Sequence, residues 1–212
     1  STLIIARGGK IDAKGTAAKP IIMTSKSDNI KADGTYPTSG KSLTVDARGL
    51  WGGLLVLGKA PSSFKGDVTE LQIEGIPVTE AAGLYGGSDA ADDSGVMQYM
   101  SIRHGGAEIG EGNEINGLTL GGVGNKTVID HIEVVANVDD GIEFFGGTVN
   151  ASYLMVYGQG DDALDIDQAY SGTVDNAMVV LTAASDHGLE IDGPEGSLAG
   201  SFTVKNVTIK GA

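Results

Sequence analysis

Three lines of sequence repeat one acidic pattern along the C-terminal half of the chain. They are VDDGIEFFGG (138–147), GDDALDIDQA (160–169) and SDHGLEIDGP (185–194), spaced by 22 and then 25 residues. In each line an aspartate is followed four residues later by a second acid. The pairs are Asp139 and Glu143, Asp161 and Asp165, and Asp186 and Glu190. Because each copy of an internal repeat forms the same structural unit, this pattern limits the possible folds strongly.

The repeated lines have the pattern of short β-strands. Apolar residues alternate in pairs such as Ile142/Phe144, Leu164/Ile166 and Leu189/Ile191, which is the period of a strand with one buried face. A second landmark recurs out of phase, as TVID (127–130), TVNA (148–151), TVDN (173–176) and TVKN (203–206). A β-sandwich would explain the strands, but not the return of the acids at equivalent positions.

These repeats predict an all-β fold, a right-handed parallel β-helix with one coil of about 22–25 residues per repeat. The segment 3–25 predicts strand, turn and strand, with Pro20 opening the next strand. Residues 28–95 are less regular, so we expect loops inserted between coils there, at 28–42 and 81–95.

The extent of the domain also follows from the strand pattern. No second domain is indicated, so we predict a single β-helix domain over residues 1–212. Strand-like sequence reaches both ends of the chain. We therefore expect the domain to be part of a longer protein, with end-to-end stacking of copies as the alternative.

The charge of the chain is concentrated in the repeats. The chain has 28 acidic and 14 basic residues, a net charge of −14, which argues against nucleic acid and anionic membranes as partners. Between Thr127 and Val204 there are 14 acids and no Lys or Arg. No apolar run approaches the ~20 residues of a membrane span, so no transmembrane segment is expected. The chain has no cysteine, so it has no disulfide framework.

The repeated acids are expected to stack. Equivalent residues of neighbouring coils lie about 4.8 Å apart. If the alternating apolar residues point inward, Glu143, Asp165 and Glu190 form one outward row. At that spacing two unit charges repel by about 1 kcal/mol in water, and by more at the lower effective dielectric of a protein. The row can be relieved in three ways: protonation, as in a catalytic acid, a bound cation, or spreading of the side chains into water.

We call the repeated acids the acidic ladder and treat all of them as candidate metal ligands. Calcium takes six to eight oxygen ligands at about 2.3–2.6 Å, and clustered carboxylates supply such oxygens. Calcium is therefore the expected cofactor if the ladder binds a metal, and no organic cofactor is indicated. The ladder consists of Asp139, Asp140, Glu143, Asp161, Asp162, Asp165, Asp167, Asp186, Glu190 and Asp192.

Several long phrases carry a family resemblance. They include LIIARGGKIDAKGTAAKPIIMTS (3–25), GLWGGLLVLGKAP (49–61) and IDHIEVVANVDDGIEFFGGTVN (129–150). The chain resembles a family of exported bacterial surface proteins and lipoproteins that are expected to form right-handed parallel β-helices. The resemblance covers nearly the whole chain and implies an extracellular or cell-surface location.

A second resemblance is local. NVD (137–139), GDD (160–162) and DHG (186–188) are similar in order and spacing to the Asn-Thr-Asp, Gly-Asp-Asp and Gly-His-Gly motifs of polygalacturonases. The resemblance implies Asp139 or Asp140 with Asp161 and Asp162 as catalytic acids and bases, and His187 as a supporting neighbour. The chain departs from the pattern at Val138 and Asp186, and it lacks the basic Arg-Ile-Lys motif.

These observations lead to one main hypothesis and two alternatives. The main hypothesis is a non-catalytic, extracellular cell-surface protein that binds divalent cations through the acidic ladder. Its expected partners are a polysaccharide or a neighbouring surface protein. The first alternative is a polysaccharide hydrolase or lyase that uses Asp139, Asp161, Asp162 and His187. The second is a filament subunit that associates end to end.

Overall fold

The structure is a computed structural model that describes residues 1–31, 42–107 and 115–212. In these ranges the only helix is the 3₁₀ turn Ala81–Gly83, and the strands follow in chain order. They are β1 (Leu3–Ile5), β2 (Ile11–Lys14), β3 (Ile21–Met23), β4 (Leu54–Leu57), β5 (Leu71–Gln72), β6 (Leu84–Tyr85), β7 (Gly95–Arg103), β8 (Leu118–Gly121), β9 (Val128–Val135), β10 (Ile142–Phe145), β11 (Asn150–Tyr157), β12 (Leu164–Asp167), β13 (Thr173–Val180), β14 (Glu190–Gly193) and β15 (Thr203–Lys210).

Two parallel sheets form the walls of a β-helix. The first sheet has the order β1-β4-β8-β10-β12-β14, and the second has the order β15-β13-β11-β9-β7-β2, with β3 also paired to β7. From β8 onward, each coil adds one short strand to the first sheet and one long strand to the second. The predicted all-β parallel β-helix is confirmed, and its stacking is consistent with the right-handed crossovers that parallel strands nearly always make.

Apolar side chains of both sheets fill the interior. Ile142, Phe144, Leu164 and Ile166 of the first sheet are at most 1% exposed, as their alternation predicts. They pack against buried residues of the long strands, such as Val156. Removing these side chains from water is the main source of stability in a fold without disulfides.

The turn into each short strand is too crowded for most side chains. A Cβ atom on Gly141, just before β10, would press on the Val156 side chain and lie 2.6 Å from the Ala163 carbonyl oxygen. The equivalent residues in the next two lines are Ala163 and Gly188. The repeat therefore keeps a small residue here because the neighbouring coil occupies the space.

The N-terminal half departs from regular coils as predicted, and the departure covers part of the first sheet. Between β4 and β7 the chain forms an insertion, residues 58–94, that contains the antiparallel pair β5 and β6. Its Phe64, Ile73 and Tyr85 pack with Leu57 and Phe145 on the outer face of the first sheet. The predicted loop at 28–42 falls largely on residues 32–41, outside the described residues.

The second sequence landmark lies in the second sheet, but its copies are not all in register. Thr173 pairs with Thr203, so TVDN and TVKN align. Asn150 pairs with Val128 and lies level with Thr173. Relative to TVDN, the copy TVNA is therefore shifted by two residues and the copy TVID by one. Coils of unequal length explain this drift because the turns absorb the extra residues.

Candidate functional site

The acids of the short strands stack as the repeat predicts. Glu143 of β10 pairs with Asp165 of β12, and Asp165 pairs with Glu190 of β14. Because Ile142 and Leu164 point into the core, the acids lie on the outer face of the first sheet. The row therefore exists as one carboxyl group per coil.

Two members of this row are buried, so of the three ways to relieve the charge, spreading into water does not apply to Glu143 and Asp165. Glu143 is only 6% exposed and Asp165 only 8% exposed. The insertion 58–94 packs on the same face of the sheet and brings Glu74 into electrostatic contact with Glu143. The repeats do not predict this burial, because the cover comes from the insertion and not from a repeated strand.

Three buried acids form a tight cluster. Asp140, Glu143 and Asp165 each offer a carboxylate oxygen, and these oxygens lie within 4.8 Å of one another. Asn116 reaches the cluster from the preceding coil, and its Nδ2 donates a hydrogen bond to Glu143. The Oδ1 atoms of Asn116 and Asp165 are buried and have no hydrogen-bond partner among the described residues. The cluster thus holds more acceptor oxygens than donors.

The environment favours the neutral forms of these acids. Burial, followed by repulsion from Asp139, raises the pKa of Asp140 to about 9. Burial, followed by the charge on Glu74, also raises the pKa of Glu143 well above its ordinary value. Glu74 keeps an exposed flank, but desolvation of its carboxyl and the charges on Asp139 and Asp165 raise its pKa to about 7. Asp165 is shifted upward mainly by burial, and its pKa rise is moderated by a hydrogen bond with Glu143.

Two of the turn acids hold one coil against the next. The backbone N–H of Asp162 donates to Asp140 Oδ1 at 2.9 Å, and the N–H of His187 donates to Asp162 Oδ1 at 2.7 Å. The His187 ring adds a contact from Nδ1 to the same Asp162 oxygen at 2.9 Å. Asp162 is 2% exposed. The predicted catalytic residue Asp162 therefore lies beneath the surface and organises the turn above it.

The other turn acids face an open groove. Asp139, Asp161 and Asp186 line a groove of about 450 Å³ together with Ser185. The carboxylate oxygens of Asp139, Asp140 and Asp161 come within 4.8 Å of one another. The two acids of an inverting glycosidase stand farther apart, at about 6.5–9.5 Å, to leave room for a water molecule. The spacing in this groove is closer to that of metal ligands.

A third group completes the site. Asp162, His187 and Glu190 also offer ligand atoms within 4.8 Å of one another. A hydrogen bond with Asp162, followed by burial, raises the pKa of Glu190 to about 7. The negative charge of Asp186 and the contact with Asp162 raise the pKa of His187.

Two predicted ligands lie at the margin of the site. Asp167 is half-buried at the end of β12 and Asp192 is exposed, and neither belongs to the three groups. Burial and the charge on Glu195 raise the pKa of Asp167 to about 6, although a hydrogen bond from the Gln168 N–H opposes the shift. Asp167 and Asp192 therefore add negative charge at the edge of the site but do not lie with the clustered ligand atoms.

The comparison with known proteins agrees with the fold. The whole chain, residues 1–212, matches the family model of the pectate-lyase-like β-helix domain. The chain belongs to this family. No curated protein and no solved structure matches it. The predicted relationship to β-helix proteins is confirmed, and the local likeness to polygalacturonases is consistent with a pectate-lyase-like β-helix.

In this pectate-lyase-like domain, the repeat pattern did not reveal three residues of the site, Asn116, Thr119 and Glu74. Asn116 and Thr119 belong to a further copy of the repeat, NGLTLGG, whose Leu118 pairs with Ile142. The glycine and the alternating leucines of this copy match the other repeats and could have identified it. The repeats were recognised by their acids, however, and this copy has no acid. Glu74 lies in the insertion, where no repeat points to it.

The described residues of this domain contain no helix long and apolar enough to cross a membrane.

Proposed function

We propose that this pectate-lyase-like domain binds a divalent cation, with calcium as the best fit, through Asp140, Glu143 and Asp165. The observation that supports the proposal is the burial of three adjacent carboxyl groups, whose oxygens lie within 4.8 Å of one another. Beside them lies Asn116 Oδ1, a buried acceptor for which the described part of the chain offers no hydrogen-bond donor. Buried polar groups normally have partners, so unsatisfied oxygens at one point call for a donor or a cation.

The donor set suits a hard cation. Carboxylate and amide oxygens are the ligands that calcium prefers, and Asp, Glu and Asn supply them here. Rotation of the Asn116 amide by half a turn would direct its Oδ1 at the cluster in place of Nδ2, since the two atoms exchange places with little change of shape. Water would complete the coordination, and the nearby charge of Glu74 would add to the attraction for a cation. A cation would let these acids ionise despite burial. Residues 128–203 contain no Lys or Arg that could balance the charge instead.

Isothermal titration calorimetry on protein freed of metal by a chelator tests this proposal. We expect calcium to bind with a dissociation constant between micromolar and millimolar, and magnesium to bind more weakly because it requires a small octahedral shell. Protons should leave the protein on binding, since the ligands must be ionised, and the measured heat should therefore depend on the buffer. An absence of binding at millimolar calcium would contradict the proposal.

We further propose that the protein works outside the cell, at a cell surface; the extracellular location that is typical of pectate-lyase-like domains supports the first part of this proposal. Extracellular calcium-binding modules operate at about 10⁻⁴–10⁻³ M, so a site of modest affinity would be filled there. A neighbouring surface protein or a second copy in a filament would be its partner there. Sedimentation velocity with and without calcium tests self-association, which should appear as species larger than the monomer.

A polysaccharide hydrolase or lyase is the second candidate function. The open groove beside the contact of His187 with Asp162 favours it, because a groove lined by Asp139 and Asp161 would accommodate a chain-like substrate. Release of reducing ends or of unsaturated products from neutral and acidic glycans is the assay. If the groove is catalytic, Asp161→Asn should abolish turnover while Asp192→Asn, the same change at the margin, should not. Wild-type protein that turns over none of the glycans would argue against an enzyme.

A further inference from the structure

The second sheet carries a column of residues that project outward at one level. Each long strand from β7 to β15 has one non-glycine residue with a positive φ at the same place, and these residues bend the strands. They are Tyr99, His131, Tyr153, Asn176 and Asn206, with φ between 50° and 59°. The strand pairing places Tyr99 and His131 side by side, because Gln98 pairs with Asp130 before the bend and Met100 pairs with Ile132 after it. This column lies on a different sheet from the acidic ladder.

The first three members form a stack of rings. The Tyr99 and His131 rings lie 4.2 Å apart with an interplanar angle of 21°, and the His131 and Tyr153 rings lie 4.5 Å apart at 15°. Near-parallel rings at this spacing attract each other. The stack therefore holds Tyr153 in a fixed orientation.

The stack ends where the column changes from rings to amides. Asn176, at the next level, is shorter than a tyrosine, and Tyr153 stays 53% exposed although one of its faces is covered by His131. Beside it opens a groove of about 320 Å³, lined by Tyr153, Leu154, Asn176, Ala177, Met178 and Asn206. The ring of Tyr153 thus presents a rigid, accessible surface to this groove.

The polar groups of the groove are fixed as well. Asn176 Nδ2 and Asn206 Nδ2 each donate to Asp175 Oδ1, at 3.2 and 2.8 Å. Each amide keeps its oxygen and a second N–H for a ligand. The hydrogen bond from Asn206 and the contact with Lys205 lower the pKa of Asp175, and Lys205 Nζ lies 3.2 Å from its carboxylate. Lys205 is therefore already paired with Asp175.

We infer that this groove binds a neutral pyranose ring of a glycan, with the sugar lying on Tyr153. The C–H face of a pyranose is apolar and slightly positive, so it suits the negative face of an aromatic ring. The paired amides of Asn176 and Asn206 match sugar hydroxyls, which both donate and accept. An acidic sugar is disfavoured because Asp175 is ionised and the chain has a net charge of −14. The volume suits one or two rings, near the lower end of small-molecule sites.

Titration with neutral oligosaccharides in the presence of a chelator tests the inference separately from the proposed cation site. Cellohexaose, xylohexaose and mannohexaose are the probes, and oligogalacturonate is the acidic comparison, each followed by calorimetry and by saturation-transfer NMR. We expect at least one neutral probe to bind at millimolar concentration and oligogalacturonate to bind more weakly or not at all. Tyr153→Ala should weaken the neutral probe about tenfold or more, whereas Tyr153→Phe keeps the ring and should retain binding.

Two further variants guard against an indirect effect. Tyr157→Ala removes a half-buried tyrosine of the same strand that lies outside the groove, and it should bind as wild type does. Met178→Lys places a long side chain at the exposed edge of the groove and should block binding without touching the ring stack. The inference is overturned if no neutral probe binds wild type, or if Tyr153→Ala and Met178→Lys bind normally. It is also overturned if Tyr153 proves to be a contact between two copies, seen as a dimer that the alanine variant dissociates.

Discussion

Asp140 has two roles that place opposite demands on its side chain. Its Oδ1 accepts the backbone N–H of Asp162 and so supports the next turn, while burial and the charge on Asp139 raise its pKa to about 9. A protonated carboxyl serves the first role at neutral pH without adding charge to a crowded site. A cation would permit the ionised form. The residue therefore links the architecture of the turn to the occupancy of the site.

Substitutions of Asp140 separate these roles. Asp140→Ala should destabilise the protein by about 1–3 kcal/mol, because the buried N–H of Asp162 loses its acceptor. Asp140→Asn keeps an oxygen at that point and should cost much less in cation-free protein. Urea unfolding monitored by circular dichroism measures both free energies. Equal losses in the two variants would show that the hydrogen bond is not what matters.

Glu143 provides a direct test of cation binding. Glu143→Gln preserves the shape of the side chain but removes one charged oxygen from the cluster, so calcium affinity should fall by about tenfold or more, since charged ligands set the affinity of such sites. Without calcium the same variant should be as stable as wild type or more stable, because a buried acid has been replaced by a neutral group.

Glu80→Gln is the matched control for this change. It makes the same substitution at an exposed residue of the insertion and should leave the calcium titration unchanged. Equal affinities of Glu143→Gln and wild type would exclude Glu143 as a ligand.

At the scale of elements, one row of the first sheet shows how a repeated strand changes role along the axis. Leu55, Thr119, Glu143, Asp165 and Glu190 occupy the same outward position in successive strands. The inward positions stay apolar because they share one core as far as Leu189, whereas Ile191 of the last short strand is 53% exposed. Outward positions lack that constraint, so the row runs from a leucine beneath the insertion to acids in the last coils.

The tight turn before β10 predicts a strong effect from a single methyl group. Gly141→Ala should destabilise the protein by about 1–3 kcal/mol, because the new Cβ meets the Val156 side chain and the Ala163 carbonyl. For a chain of this size that corresponds to a fall in Tm of roughly 2–12 °C. Gly211→Ala, where nothing lies within 4 Å of the added Cβ, is the control and should leave Tm unchanged. A wild-type Tm for Gly141→Ala would mean that neighbouring coils shift easily.

The strands of the repeats were predictable from sequence, and the burial of the site was not. Alternation identified Ile142 and Leu164 as core residues, and the spacing of the acids gave the pairing of Glu143 with Asp165. Both are local or periodic properties that a single sequence displays. Glu74 and the cover over Glu143 depend on how an irregular insertion folds back onto the sheet, and no period in the sequence encodes that path.

The whole molecule separates two surfaces by chemistry. The outer face of the first sheet carries the acidic ladder, and the second sheet carries the aromatic column with its amides. The two sheets share a core but have no common outward residues, so ligands at the two sites would not compete directly. A cation would also reduce the charge that the ladder contributes to the net −14.

Stability should depend on pH in a way that calcium reverses. The folded pKa values of Asp140, about 9, and of Glu74 and Glu190, about 7, lie above their ordinary values of 3.8 and 4.5. Folding therefore favours the protonated forms, a stabilisation that is complete below about pH 4 and is lost as the pH rises towards 7 and then 9. In chelator, Tm should fall steadily from pH 5 to pH 9.

Calcium should oppose this fall because it binds the ionised acids, so the rise in Tm on adding calcium should be larger at pH 8 than at pH 5. Acids with lowered pKa, such as Asp93 and Asp175, lose their contribution only near or below pH 4 and do not affect this range. Differential scanning fluorimetry across pH, with and without calcium, makes the measurement. A cation-free Tm that is flat or rises between pH 5 and pH 9 would contradict the prediction.

The hydrogen bonds that join one coil to the next, including those from the turns to Asp140 and Asp162, run along the axis of the β-helix. Tension along that axis therefore loads the coils one after another and does not shear whole sheets at once. Stretched in this direction, the molecule should open in steps of one repeat, 22 or 25 residues, or roughly 75–90 Å of extended chain. A bound cation between Asp140 on one coil and Asp165 on the next would act as a mechanical clamp at that step.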